Sequence, residues 1–574
     1  MYLIINTERK IKSLLDNYLK KIGYKENIKL EKPSEKLGDF SFPCYQLAKI
    51  LRKSPNDIAL DISKNIKIPK IIEEIKANGA YVNFFIDKKL LKKSTIDSIL
   101  KDNEKYGNLQ KKNNKVIIEH TSANPNGPLH VGRARNPIIG DTMVRIFKSA
   151  GFEVESQFYL DDMGKQVAIL AWGIENVEES EIEKTDYDKD DHKTVGFYQI
   201  ASKKMKNDEN INNEISDIVK KLEEGNKGYI DKIHKAYSPV LKGINESLNK
   251  INIKIDKYIP ESKFLENKSV EKVIKELKES KFCKREDKAY YLDLETFGIK
   301  GRNTKFVFIR KDGTTLYATR DIAYHLWKAR NADILVNILG EDHKLESKQV
   351  EIALKLIGEE KIPQVIFYSF VSLPGGKMST RKGRVVYLDD LIDECIKRAY
   401  IEVEKRRGKE LNEDKMKKIS EIVGIGALRY NIIKVQPEKD ITFKWEEALN
   451  FEGNSSPFIQ YAHARACGIL SKSKERIDEF DTDLLIENSE IELIKRLAKY
   501  PLEIKESSEN LKPHNVANYL YNLASSFNQF YRDCPVLSEK NEKLRISRLA
   551  LVNASKIVLK NGLNVLGIIA PEEM

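Results

Sequence analysis

The segment 115–133, KVIIEHTSANPNGPLHVGR, constrains this chain more than any other. A short apolar strand (Val116 to Ile118) runs into a loop rich in Gly, Pro and Asn, and a helical pattern, NPIIGDTMVRIFKSAG, follows it. Strand, glycine-bearing loop and helix in that order open a nucleotide-binding α/β unit. Gly132 lacks a Cβ, so a nucleotide can lie flat against the backbone there. The N–H groups of the following helix face anionic oxygens. His130 can donate a hydrogen bond to a phosphate as charge develops on it. A Gly/Pro turn holding a satisfied histidine has the same local pattern.

The α/β pattern is interrupted. Residues of roughly 175–285 are rich in Lys, Glu, Asp, Asn and Ile, with helical periodicity in NNEISDIVKKLEEG and VEKVIKELKES, and predict a mostly helical insertion. The pattern resumes with YYLDLETFG, FVFIRKDGTTLYATRDIAYHLWKA, DILVNILGEDHK and QVIFYSFVSLPGGKMSTRKGRVVYLD. Upstream, a helical start precedes GDFSFPCYQLAKILRKSP and the alternating ANGAYVNFFID, which together predict an α+β unit over 1–112. Past residue 385 nearly every window is helical. At 574 residues the chain has room for three to five domains. The predicted division is 1–112, an α/β domain over 113–384, a helical region over 385–454 and an all-α domain over 455–574.

Composition narrows the classes of function. No apolar run approaches the ~18 residues of a spanning helix. The opening MYLIINTERKIKSLL does not have the form of a signal peptide. Five scattered Cys with no CxxC predict neither a disulfide framework nor a zinc knuckle, and a reducing, cytoplasmic setting. No HExxH, Cys/His cluster or acidic calcium loop is present, so no protein-bound metal is expected. The net charge of +12 permits a polyanionic partner, and ordinary solvated surface accounts for much of such an excess. A second constellation adds to this: Gly376-Lys377-Met378-Ser379-Thr380-Arg381-Lys382-Gly383 puts three cations and two hydroxyls in one loop. Such a loop can close on pyrophosphate, and an exposed basic turn has the same composition.

These two constellations, on either half of an interrupted α/β pattern, resemble the HIGH and KMSKS signatures of the class I aminoacyl-tRNA synthetases. Gly340-Glu341-Asp342-His343 after ILVNIL is similar to the element in which an acidic residue meets the ribose; Asp342 is the candidate. Within the class, the chain is identified as a member of the arginyl family. EHTSANPNGPLHVGRARNPIIGD is similar to that family's signature segment and TLYATRDIAYH to its amino-acid pocket. QYAHAR and VLKNGLNVLGIIAPEEM resemble its C-terminal domain, and ANGAYVNFF its N-terminal one. The chain departs from the pattern twice. Arg133 stands where HIGH usually ends in His, and Gly426-Ala427-Leu428-Arg429 stands for the usual DALR.

The resemblance implies a multidomain α/β protein. It would have a Rossmann-type catalytic domain with a helical insertion, an α+β N-terminal domain that touches the tRNA D-loop, a stem-contacting region over 385–454, and an all-α anticodon-binding domain. It implies activation of L-arginine by ATP with Mg²⁺, then transfer to the 3′ end of tRNA(Arg), by a cytoplasmic protein expected to be a monomer. His130, Arg133 and Lys377 would stabilise the reacting phosphate, with Ser379, Arg381 and Lys382 in support. Pro128, Leu129, Gly132, Gly340, Asp342, His343 and Met378 would complete the ATP site. Asp321 would pair with the guanidinium and Tyr317 would form a wall. Their spacing of four puts both on one helix face, although Asp321 is also placed to answer a helix dipole and Tyr317 to be a core aromatic. Glu119, Ser122, Asn124 and Gln166 would hold the substrate's polar ends. For tRNA, the matched positions are Asn78, Tyr81 and Asn83 in the N-terminal domain, with Tyr81 and Asn83 on one strand face. Phe458, Tyr461, Tyr531 and Met574 are those in the C-terminal one. Two alternatives remain: another HIGH/KMSKS-type synthetase, or a synthetase-like RNA-binding protein without catalysis.

Overall fold

The structure, a computed structural model, describes residues 2–24, 27–33, 37–372 and 386–574. The N-terminal unit contains α1 (Leu3–Lys21), β1 (Phe40–Pro43), α2 (Tyr45–Leu51), α3 (Pro55–Asn65), β2 (Ile72–Asn78), β3 (Tyr81–Ile86) and α4 (Lys88–Asp102). Its antiparallel sheet has the order β1-β3-β2, and Gly79, with φ +56°, makes the tight β2–β3 turn that a side chain would resist. Its own core (Ile11, Leu15, Phe40, Val82, Phe84) extends onto Ala498 and Leu502 of the C-terminal bundle.

The central unit contains β4 (Lys115–Glu119), α5 (Arg135–Ser149), β5 (Glu153–Leu160), α6 (Lys165–Asn176), α7 (Asp190–Asn207), α8 (Glu209–Glu223), α9 (Lys227–Lys250) and β6 (Lys257–Pro260). It continues with α10 (Ser262–Glu266), α11 (Ser269–Glu279), β7 (Cys283–Glu286), β8 (Ala289–Asp293), β9 (Lys305–Ile309), α12 (Tyr317–Asn331), β10 (Ile334–Gly340), α13 (Lys344–Leu356), β11 (Gln364–Tyr368) and β12 (Val371–Ser372). Five strands form a parallel sheet in the order β11-β10-β4-β5-β6. Val116, Ile117 and Ile118 of the middle strand are fully buried, as befits a parallel strand covered on both faces. Strand order reverses between β4 and β10. In doubly wound sheets the crevice at the carboxyl ends of such a pair is where ligands bind.

The segment read as a helical insertion is helical over α7–α9, but β6 within it pairs with β5 as the sheet's edge strand. Four residues ending in Pro260 carry too little pattern to be read as a strand, and only the pairing with β5 makes them one. The inserted helices are not a separate body. Ile215, Leu222, Ile233, Val240 and Ile244 join the same core as the sheet. A second antiparallel sheet, β7-β8-β9, lies between β6 and α12.

The remainder contains α14 (Leu388–Arg407), α15 (Glu413–Ile433), β13 (Ile441–Thr442), α16 (Trp445–Ala448), α17 (Ser456–Lys472), α18 (Asn488–Asn510), α19 (Pro513–Asp533) and α20 (Glu542–Val565). β13 pairs with β12 in a two-stranded parallel ladder. Among the described residues no helix is long and apolar enough to cross a membrane.

Candidate active site

A cavity of about 380 Å³ opens at the switch point. Its walls include Glu119 at the end of β4, Ser122 and Asn124 in the loop beyond it, and Arg133. Tyr159 and Asp161 come from the end of β5, Glu261 from the end of β6, Tyr317, Asp321 and His325 from α12, and Asn337 from β10, with His343 and Glu346 closing the ring. The backbone leaving β4 is strained: Thr121 and Ser122 have φ of +74° and +27°. The Asn136 side chain holds this turn by accepting the Thr121 N–H at 2.6 Å.

The cavity's carboxylates differ in how each is balanced. Glu119 accepts Lys328 Nζ at 2.7 Å and Ser122 Oγ at 3.2 Å, and Lys328 is fully buried, so this negative charge is already answered. Among the described residues, Asp321 has no Lys or Arg in contact. Its Oδ1 lies 3.1 Å from His325 Nδ1, while His325 Nε2 accepts Asn337 Nδ2 at 2.9 Å, which puts the imidazole proton on Nδ1. Burial pushes the Asp321 carboxyl up, but His325, Lys328 and His343 outweigh it and hold the group below its usual range. Glu261 is 2 % exposed, with Oε1 2.8 Å from Arg320 Nε and Oε2 without a partner among the described residues. Burial pushes its carboxyl up to about 8. The Tyr159 hydroxyl is likewise buried and unpartnered. Tyr317 begins α12 and is half exposed, its hydroxyl pushed up to about 12 by burial and by Glu346. Among the described residues, two of the cavity's carboxylates, Asp321 and Asp161, have no Lys or Arg in contact and two buried polar atoms lack partners, which suits a ligand with a cationic, hydrogen-bonding end.

Beside it, His130 Nδ1 accepts the Gly132 N–H at 3.0 Å, leaving Nε2 as the donor. Burial and the Arg133 charge lower its pKa, favouring the neutral ring. Leu129 and Pro128 are buried beneath this loop, and Arg133 is exposed. At the end of β10, Gly340 leaves room for Asp342: a Cβ there would stand 2.3 Å from Asp342 Oδ1. Asp342 is exposed, and His343 Nδ1 lies 3.0 Å from Glu346. Lys377, Met378, Ser379, Arg381 and Lys382 lie outside the described residues.

Gln166 stands apart from the cavity wall. It is exposed on the first turn of α6 and accepts Asn126 Nδ2 at 2.7 Å. The sequence reading missed Glu261, Tyr159, His325 and Lys328. Glu261 falls inside the stretch read as helical, and no local pattern marks it.

The positions matched to tRNA contacts fall in two places. Asn78 is exposed at the β2–β3 turn, and Tyr81 meets Tyr45 edge-on with ring centres 5.6 Å apart. Asn83 is 3 % exposed, contrary to its expected place on an RNA-facing surface. β3 is the middle strand of its sheet, and Ser41 on β1 lies opposite and donates to Asn83 Oδ1 at 2.7 Å. In the C-terminal bundle a cavity of about 670 Å³ is lined by Phe458, Tyr461, Arg465, Arg406, Arg407, Arg532 and Met574. Tyr531 joins them through Arg465, whose guanidinium lies 4.7 Å from the Tyr461 ring centre and 5.1 Å from that of Tyr531. The Met574 carbonyl accepts a hydrogen bond from Arg407.

A parallel sheet with this switch point, a His130–Gly132 loop after its first strand and a helical C-terminal bundle define a class I aminoacyl-tRNA synthetase. Residues 95–445 match the family model for tRNA synthetases class I (R), catalytic domain. Residues 9–86 match the arginyl-tRNA synthetase N-terminal domain and residues 459–574 the DALR anticodon binding domain. Among curated proteins, the arginine–tRNA ligase of Methanocella arvoryzae is 47% identical over 92% of both chains, and that of Methanosarcina barkeri 41% over 98% of both. Among solved structures, the Thermus thermophilus arginyl-tRNA synthetase superposes with a TM-score of 0.86 at 28% identity, covering 99% of this chain and all of that one. The chain belongs to the arginyl-tRNA synthetase family.

Proposed function

We propose that the protein joins L-arginine to ATP, giving arginyl-adenylate and pyrophosphate, and then transfers the arginyl group to a ribose hydroxyl at the 3′ end of tRNA(Arg). The observation that carries this reading is the charge balance of the cavity: Glu119 is neutralised by Lys328, whereas Asp321 is held ionised and, among the described residues, has no Lys or Arg in contact. A guanidinium supplies the planar donor set such a carboxylate lacks. Tyr317 would flank it, and the unpaired Glu261 Oε2 and Tyr159 hydroxyl would take its remaining N–H groups. Ser122, Asn124 and the Lys328-bound Glu119 would hold the amino-acid end.

No side-chain nucleophile is required; the arginine carboxylate attacks the α-phosphate, and positioning and charge stabilisation do the rest. His130, through its Nε2 proton, Arg133 and Lys377 would meet the developing charge, with Ser379, Arg381 and Lys382 behind them, and Asp342 would take the ribose hydroxyls. Mg²⁺ would arrive with the ATP phosphates. Phe458, Tyr461, Tyr531 and Met574 would receive the anticodon loop, and Asn78 and Tyr81 the D-loop. The protein would work in the cytoplasm as a monomer. Guanidinium recognition of this kind rejects lysine without a second, editing site. The test is ATP–pyrophosphate exchange across amino acids, with and without tRNA. Exchange with arginine alone among them is expected; exchange with cysteine or glutamate but not arginine would refute the reading.

A further inference from the structure

One buried polar cluster takes no part in that chemistry. Lys189, Asp191 and His192 come from the start of α7, Ser247 from α9, and Asp389 from the first turn of α14. Asp389 is fully buried and accepts Lys189 Nζ at 2.7 Å, His192 Nε2 at 3.0 Å and Ser247 Oγ at 2.9 Å. Lys189 Nζ also donates to Ser247 Oγ at 2.6 Å and lies 3.4 Å from Asp191. Helix α9 is shaped for this cluster: a Cβ on Gly243 would come within 2.2 Å of Asp191. Asp191, His192 and Asp389 bring their ligand atoms within 4.8 Å of one another, but the Lys189 ammonium already stands against both carboxylates, so the group is an ion-pair network rather than a metal centre.

What this network holds is the chain at 386–390. Val131 N–H donates to the Val386 carbonyl at 3.0 Å, Leu388 N–H donates to the Leu129 carbonyl at 2.7 Å, and His130 and Tyr387 face each other as an antiparallel bridge pair. Asp389 follows directly. The next residue is held as well: Asp390 accepts the Tyr187 hydroxyl at 2.9 Å and the Tyr387 N–H at 2.7 Å, and the Tyr187 ring stacks on His192 at 4.2 Å. The inserted helices therefore reach the His130 loop through Asp389 and Asp390 on the segment 386–390, and through Val195 of α7, which packs on Gly127 so closely that a Cβ there would stand 2.5 Å from it. Removing a partner from a buried ion pair leaves an uncompensated charge that must relax. A displacement of about 1 Å at a reacting centre can cost about a hundredfold in rate.

We propose that Lys189, His192 and Ser247 are positioning residues for His130: they lock Asp389, Asp389 fixes residues 386–388, and that segment sets the height of the imidazole beside the substrate cavity. The inference rests on the synthetase reading and gives the inserted helices a task within it.

The test is arginine-dependent ATP–pyrophosphate exchange by the full-length protein at saturating tRNA. It compares wild type with Lys189→Met, Ser247→Ala, His130→Ala and each of the first two combined with His130→Ala, with thermal unfolding recorded for all. Lys189→Met is expected to lower kcat at least about tenfold while KM for arginine stays within about twofold. Ser247→Ala does the same more weakly, and Lys189→Arg recovers part of the loss. In the His130→Ala background neither change costs anything further, because the group being positioned is gone. A folded Lys189→Met variant with wild-type kcat, or losses that multiply with that of His130→Ala, overturns the inference. If Lys189→Met does not fold, the Ser247→Ala cycle decides by the same two criteria. A wild type that fails to exchange with arginine defeats the functional reading and this inference together; a normal wild type with multiplicative variants defeats this inference alone.

Discussion

Glu119, Asp321 and Glu261, three of the carboxylates that line one cavity, have different fates, set by their nearest neighbours. Asp321 is kept ionised with no Lys or Arg in contact among the described residues, so Asp321→Asn should weaken arginine binding by about 2–3 kcal/mol, the worth of a hydrogen bond to a charged group. Calorimetry on the folded variant reads this directly, and unchanged affinity would remove Asp321 from the pocket. Glu261 behaves differently because burial raises its carboxyl to about 8. An acid whose pKa is higher folded than unfolded binds more protons in the folded state between roughly pH 4.5 and 8, so its contribution to stability falls as pH rises through that window. A guanidinium would favour the ionised form. Arginine binding near pH 7 should therefore release a fraction of a proton, seen as a binding enthalpy that varies with the buffer's ionisation enthalpy, and Glu261→Gln should abolish the dependence. His130, with Nε2 as its donor, is expected to act on the reacting phosphate. Its replacement by Ala should slow single-turnover adenylate formation by about 10²–10³ and leave arginine affinity nearly unchanged.

Helix α5 begins just after the His130 loop and ties three parts of the chain together. Its Asp141 accepts Arg429 Nη2 at 2.6 Å and Arg145 Nε at 2.7 Å. Arg429, fully buried on α15, also donates to the carbonyls of Leu566 and Ile251. Arg145 reaches the carbonyls of Asn252 and Asn564. The last residue of the Gly-Ala-Leu-Arg stretch thus joins α5, the end of the inserted helices and the C-terminal bundle. The missing Asp of the usual DALR pattern does not disturb this, since Gly426 packs tightly: a Cβ there would stand 2.8 Å from Ser456 Oγ. Asp141→Ala leaves Arg429 buried and unpaired, and should cost about 3–5 kcal/mol. Thermal unfolding should show it as a markedly lowered midpoint; a midpoint within a degree of wild type would contradict the role given to this pair.

At the scale of the molecule as a whole, four arginines, Arg406, Arg407, Arg465 and Arg532, line the C-terminal cavity. Arg465 lies between the Tyr461 and Tyr531 rings, so Arg465→Ala loosens two aromatic platforms at once. Its expected cost in tRNA affinity is about 1–3 kcal/mol, with a shallower dependence of affinity on salt, measured by titration at several ionic strengths. Arginine binding in the absence of tRNA should not change.

The order of these parts was legible in the chain because its signals are short-ranged. The run Val116 to Ile118 reads as an apolar strand, the spacing of Tyr317 and Asp321 puts them on one face of α12, and the motif segments appear in their family order. β6 was not legible, since four residues ending in Pro260 become a strand only against β5. Glu261 at its end was therefore hidden. So was the burial of Asn83, which depends on β1 lying beside β3. Periodicity and turn chemistry act within a few residues and survive in a one-dimensional reading. Which carboxylate is neutralised, which polar atom is left unpaired and which side chain is covered depend on segments brought together from far along the chain, so they are set only when the sheet and helices pack.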